Sequence, residues 1–199
     1  MTEQTFKTNI DSFWTDTHNA HAEVVETVFS SMQNDMKALL SLGVETIQGG
    51  GKIMFCGNGG SAADAQHIAA ELSVKLFKDR PPIAGICLTL DSSAITACGN
   101  DFGFDIIFSR QVEALGRAGD LLVGISTSGQ SPNVIKAIES AQKMDIKTAA
   151  LTGRDGGALG GIVDVNLCVK HNDTARIQEM HITLGHIFCG LLEKELGLV

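Results

Sequence analysis

The sequence predicts an α/β fold in which a doubly wound, five-stranded parallel sheet is flanked by helices and preceded by a helical arm. Residues 1–199 form a single domain, of which 1–50 are the arm. Three observations predict it. Five short apolar runs each end in a cluster of Gly, Ser, Thr or Asp, and helical patterns separate them. The length and the 44% hydrophobic content suffice for one well-buried core and are too small for two domains of usual size.

The arm comes first. From Thr5 to about Gln48 there is no proline and no glycine except Gly43, while Val24, Val25, Val28, Phe29, Met32, Met36, Leu39 and Leu40 recur at helical intervals, so two helices are expected. Gly49-Gly50-Gly51 stops that pattern. Ile53–Cys56 is then a short apolar strand, Gly57–Ser61 a glycine loop, and the Ala-rich stretch to Phe77 a helix. The cycle returns at Ile83–Leu88 before Asp91, at Leu121–Ile125 before Ser126-Thr127-Ser128-Gly129, and at Thr148–Leu151 before Thr152-Gly153. Val163–Val169 is the last strand, followed by a helix from about Thr174 to Leu196. Near-continuous apolar strands with helical patterns between them describe a sheet covered on both faces.

Composition narrows the function. With 15 Lys+Arg against 23 Asp+Glu, the formal charge is −8, and such a surface repels phosphate backbones and anionic lipid. Neither nucleic acid nor membrane is expected as a partner. Lys7, Asp11, Asp16, Glu23 and Glu26 lace the first 30 residues, no apolar signal region interrupts them, and no 18-residue apolar run occurs anywhere. A soluble, cytoplasmic protein is the expectation. Cys56, Cys87, Cys98, Cys168 and Cys189 are an odd, widely spaced set in apolar segments, which favours buried reduced thiols over disulfides or a thiolate metal site. The 22 glycines against 3 prolines are read as placing backbone, chiefly at strand ends.

In an open parallel sheet, ligands bind beyond the carboxyl ends of the strands. Gly57-Asn58-Gly59-Gly60-Ser61-Ala62 fits the GxGxxG/A dinucleotide pattern in spacing. The acidic residue that should follow about 20 positions later to hold a ribose is not there, since Asp91 comes distinctly later. A nicotinamide oxidoreductase therefore rests on the glycine loop alone. The loop after the third strand is more specific. Pro132 suits the first helical position, which makes Ser131 the N-cap and leaves backbone amides beside the hydroxyls of Ser126, Thr127, Ser128 and Ser131. Such a loop can hold a phosphate without Lys or Arg.

His67 and Glu71 are four apart on the helix after the glycine loop, so they share a face. Gln178 and His186, eight apart in the last helix, also fall within one face. Together the four could ligate Zn²⁺, and Glu71 with His186 could equally be an acid–base pair. Glu179 and His181 are neighbours that could substitute for them, whereas His18, His21 and His171 read as solvated or capping residues.

The runs Cys56–His67, Gly99–Phe104, Phe108–Ala114, Gly124–Gly129, Leu151–Gly157 and Ala175–His181 resemble, in order, the sedoheptulose-7-phosphate isomerases (phosphoheptose isomerases) of the SIS domain superfamily. The resemblance covers essentially the whole chain. It implies a flavodoxin-like SIS domain and a homotetramer with active sites between subunits. The implied reaction converts sedoheptulose 7-phosphate to D-glycero-D-manno-heptose 7-phosphate, the first step towards the heptose of lipopolysaccharide or related glycans. By the same resemblance, Ser126, Thr127, Ser128 and Ser131 hold the phosphate, Asn58, Gly59 and Gly60 line the sugar, and Glu71, Asn100, Asp101 and Gln178 contact it. His67, Glu71, Gln178 and His186 match the zinc positions, one ion per subunit, with Glu71 and His186 also the favoured catalytic residues. One departure is visible: Val74-Lys75 stands where many relatives have Gly-Arg, and Lys cannot copy a bidentate guanidinium. The rival readings are a non-catalytic SIS protein that binds a phosphosugar or the replication initiator, and an isomerase of another phosphosugar. Retention of both Glu71 and His186 weighs against the first.

Overall fold

The computed structural model of the chain describes residues 7–199, and the first six residues of the expected arm lie outside the described residues. The arm forms two helices, α1 (Ile10–Ser31) and α2 (Gln33–Gln48), divided at Met32. The Asn9 side chain caps α1 by accepting from the Ser12 amide at 3.2 Å. Val24, Val28, Met32, Met36 and Leu39 are buried along the inner side, so the arm belongs to the main core.

Five strands follow: β1 (Ile53–Gly57), β2 (Gly85–Cys87), β3 (Leu121–Ser126), β4 (Lys147–Gly153) and β5 (Val165–Val169). All pairings are parallel and the order is β2-β1-β3-β4-β5. Helix α3 (Gly60–Ser73) follows β1. After β2 come α4 (Ser92–Asp101), a 3₁₀ turn at Phe104–Ile106 and α5 (Ser109–Leu115). Helix α6 (Pro132–Lys143) follows β3, a single turn α7 (Gly157–Gly160) follows β4, and α8 (Thr174–Glu195) follows β5.

Right-handed crossovers that step outward in opposite directions from β1 and β3 must place their helices on opposite faces. Side chains alternate accordingly. Phe55, Val123 and Leu151 point to the face covered by α2, α3 and α8, while Met54, Leu122 and Ala150 point to the face covered by α5, α6 and α7. Both faces are dry, which is why the strands read as continuous apolar runs rather than alternating ones.

β1, β3 and β4 run one or two residues beyond their expected ends, and other boundaries differ for reasons that are local. Of Ile83–Leu88 only Gly85–Cys87 pairs as strand: Pro81 and Pro82 lack amide donors, and the Ile83 amide goes to the Leu72 carbonyl at 3.0 Å. The last strand begins at Val165, because Asp164 is tied into a turn with Thr148 through its carboxylate, 2.8 Å from the Thr148 amide. The segment after β4 makes one helical turn only, interrupted by Gly156, Gly157, Gly160 and Gly161. Helix α3 ends at Ser73, short of Phe77.

All five cysteines are free, with Cys56, Cys87 and Cys189 buried and Cys98 and Cys168 partly so. Burial holds the Cys56 thiol above its ordinary pKa. No helix among the described residues is long and apolar enough to cross a membrane.

Candidate active site

The strand order reverses between β1 and β3, and the crevice above their carboxyl ends is where this topology receives ligands. Asn58, leaving β1, and Asn133, entering α6, bridge it with a reciprocal amide pair. Asn58 Nδ2 donates to Asn133 Oδ1 at 2.8 Å and Asn133 Nδ2 to Asn58 Oδ1 at 2.9 Å. Two loops otherwise far apart in sequence are thereby held in register.

The loop after β3 is ordered by its own hydroxyls. Ser131 occupies the N-cap of α6 and Pro132 its first turn, but the Ser131 hydroxyl lies 2.9 Å from the Ser126 hydroxyl and makes no capping bond to the helix. Ser128 Oγ accepts from the Gln130 amide at 3.2 Å. Gly129 has φ +64°, and a Cβ there would run into the Gly156 carbonyl, so this position needs glycine on two counts. Its carbonyl accepts from the Leu159 amide at 2.9 Å, joining the loops after β3 and β4.

The sequence suggested a phosphate loop without cations; the fold brings two to its edge. Ser128 and Gln130 share an open cleft of about 830 Å³ with Arg154, Lys170 and His171. Arg154 sits at φ +61°, its amide donating to the carbonyls of Val169 and His171 at 3.1 and 3.2 Å. No local pattern announces this, because the three loops meet only through the sheet.

Helices α3 and α8 follow parallel strands on the same face and run side by side in the same direction. Gly60 lies against Gln178 so closely that a Cβ would overlap the amide, and Ile68 seats against Gly185. One turn pair along the seam, His67 Nε2 lies 3.0 Å from Glu71 Oε1 and 3.3 Å from His186 Nε2, the two rings edge-on at 73°. One ligand atom from each of His67, Glu71 and His186 falls within 4.8 Å of the others. Donors around a tetrahedral zinc, at 2.0–2.2 Å from it, stand about 3.3 Å apart. The donor types and spacing therefore fit zinc, with three of the four expected residues gathered and Gln178 two turns earlier on α8, its amide at Gly60.

Other candidates go elsewhere. Asn100 and Asp101 end α4 and bond to each other, Asn100 Nδ2 to Asp101 Oδ1 at 2.7 Å, and no hydrogen bond among the described residues joins them to the α3–α8 cluster. His181 is fully buried: its Nε2 donates to the Thr152 carbonyl at 2.9 Å and burial pushes its pKa down to about 4, so it is a neutral core residue. Glu179 bridges Arg176 at 2.6 Å and His21 at 2.7 Å, so the half-exposed His21 ring is hydrogen-bonded to α8 as well as solvated. His171 does cap, accepting the Asp173 amide on Nδ1. Lys75 pairs with Asp79 on the surface.

Sequence reasoning passed over two groups beside the cluster. Asp64, one turn before His67 on α3, has its carboxyl pushed up to about 6 by burial, with His67 opposing, and its Oδ2 has no partner. The other is Arg80, whose contacts with the end of α3 are described below.

A flavodoxin-like sheet with a hydroxyl-lined loop at its switch point defines a SIS-domain protein, and the SIS domain family matches residues 18–153. Among curated relatives, the phosphoheptose isomerase of Aliarcobacter butzleri is 52% identical over 178 residues, covering 89% of this chain and 94% of that protein. The solved phosphoheptose isomerase of Neisseria gonorrhoeae superposes with a TM-score of 0.88 at 43% identity, covering 94% of this chain and all of that one. The one from Francisella tularensis gives 0.89 at 35% identity, over 94% of this chain and 99% of its own. The chain belongs to the phosphoheptose isomerase family.

Proposed function

We propose that this chain interconverts sedoheptulose 7-phosphate and D-glycero-D-manno-heptose 7-phosphate through an enediol. The observation that carries the reading is the Glu71–His67–His186 cluster, a carboxylate and two imidazoles brought together across the α3–α8 seam. The reaction oxidises C1 from alcohol to aldehyde and reduces C2 from ketone to alcohol, so no external oxidant is needed. A proton leaves C1, the enediol forms, and a proton returns at C2 while the hydroxyl proton moves from O1 to O2. Glu71 and His186 carry these protons. Ser126, Thr127, Ser128 and Ser131 hold the phosphate, and Asn58, Gly59, Gly60 and Gln178 orient the sugar. His67, Glu71 and His186 would hold one zinc ion per subunit, and zinc there supplies Lewis acidity towards the sugar oxygens, while Gln178, expected as a fourth ligand, lies two turns away at Gly60.

The reading extends to a homotetramer with sites between subunits. It is supported by Phe13, Trp14 and Phe29, large apolar side chains left mostly exposed along α1. A dianionic sugar phosphate does not cross a membrane unaided, which supports a cytoplasmic place of action.

Incubating the purified chain with sedoheptulose 7-phosphate, with and without a chelator, and following the aldose phosphate by NMR tests the reaction. Glu71→Gln should lower turnover by about 10²- to 10⁴-fold with the fold intact. Near-normal turnover in that variant would sink the assignment.

A further inference from the structure

Helix α3 ends two residues after Glu71, and the last carbonyls of a helix have no amide partners of their own. Arg80 supplies donors to two of them, the second shared with the Ile83 amide. Its Nη2 donates to the Glu71 carbonyl at 2.7 Å and its Nη1 to the Leu72 carbonyl at 2.9 Å, so one guanidinium, returning from the loop, caps the turn that carries Glu71. The third arm of the fork, Nε, donates to Glu193 Oε1 at 2.7 Å. Glu193 lies on α8, seven residues after His186 and hence on the same face, and its Oε1 also accepts the Leu76 amide at 3.1 Å.

The side chains of Arg80 and Glu193 are both fully buried, and Glu193 Oε2 finds no hydrogen-bond partner. Such a pair is poor value as a stabiliser, because desolvation offsets its attraction and well-packed apolar residues often do as well or better. Its three-way geometry is what apolar packing cannot copy. Cys189 lies among Glu71, Glu193 and Arg80, and its thiol is pushed up to about 12, by burial first and then by the two carboxylates.

We propose that Arg80 and Glu193 are positioning residues, a buried clamp that fixes the Glu71 turn of α3 against the His186 face of α8. This rests on the isomerase reading of Glu71 and His186. The clamp touches neither the loop after β3 nor Asn58, so its removal should disturb proton transfer far more than it disturbs phosphate binding.

The test is the double variant Arg80→Met, Glu193→Leu, measured beside wild type for thermal unfolding and for kcat and KM with sedoheptulose 7-phosphate. A structural pair replaced by apolar residues would keep both Tm and turnover. A positioning clamp would keep Tm while kcat falls about 10- to 100-fold and KM stays within about threefold, the size of effect seen when supporting shells of sites are removed. Arg80→Lys, which keeps the charge but not the fork, should show the same split. Wild-type kcat in a folded double variant, or a KM change as large as the kcat change, would overturn the proposal. So would failure of both variants to fold, which would assign the pair to stability. An inactive wild-type chain would instead sink the isomerase reading, and the clamp with it.

Discussion

His181 shows how one residue of a motif can resemble a ligand and be something else. Its imidazole hydrogen-bonds the Thr152 carbonyl inside the core, and burial lowers its pKa from 6.5 to about 4. Above pH 6.5 it is neutral in folded and unfolded chains alike. As the pH falls from 6.5 to 4 the unfolded chain takes up the proton and the folded one does not, so stability is lost over that window, about 3 kcal/mol in all. Asp64 acts in the opposite sense, since its carboxyl, raised from 3.8 to about 6, is protonated first in the folded chain, and acidification between those values adds stability. His181→Gln, whose amide can still donate to Thr152, should therefore lose Tm less steeply than wild type between pH 6.5 and 4. Parallel Tm–pH curves would refute this account.

At the scale of elements, the loop after β3 is built by contact with the loop after β4. Gly129→Ala would force an L-residue to φ +64°, costing about 1–2 kcal/mol, and add the overlap with the Gly156 carbonyl. We expect a loss of at least about 2 kcal/mol in urea unfolding and, in steady-state kinetics, a KM raised more than kcat is lowered. An unchanged KM would count against phosphate binding by this loop. Strands were legible because both sheet faces are dry, and β1, β3 and β4 read almost to the residue. Less legible were β2, where buried Ile83 and Leu88 look like strand but flank it, and α7, where glycines leave one turn. His67 and Glu71 were visible as a local i,i+4 pair. That His186 meets them, that Arg154 and Lys170 line one cleft with Ser128, and that Arg80 caps α3 are tertiary facts that spacing does not encode.

For the molecule as a whole, the exposed aromatic residues of α1 are the strongest departure from a self-sufficient monomer. On the proposed homotetramer, Trp14→Glu should shift sedimentation velocity to species smaller than those of the unmodified chain, with turnover per chain falling in parallel; an unchanged sedimentation coefficient would remove α1 from the proposed interface. One further consequence lies in the α3–α8 seam. Sliding one helix along the other by a turn, about 5.4 Å, would require Ile68 to climb out of its seat on Gly185 and Gln178 to leave Gly60. Those contacts fix the register of the two helices, and with it the spacing of His67, Glu71 and His186 across the seam.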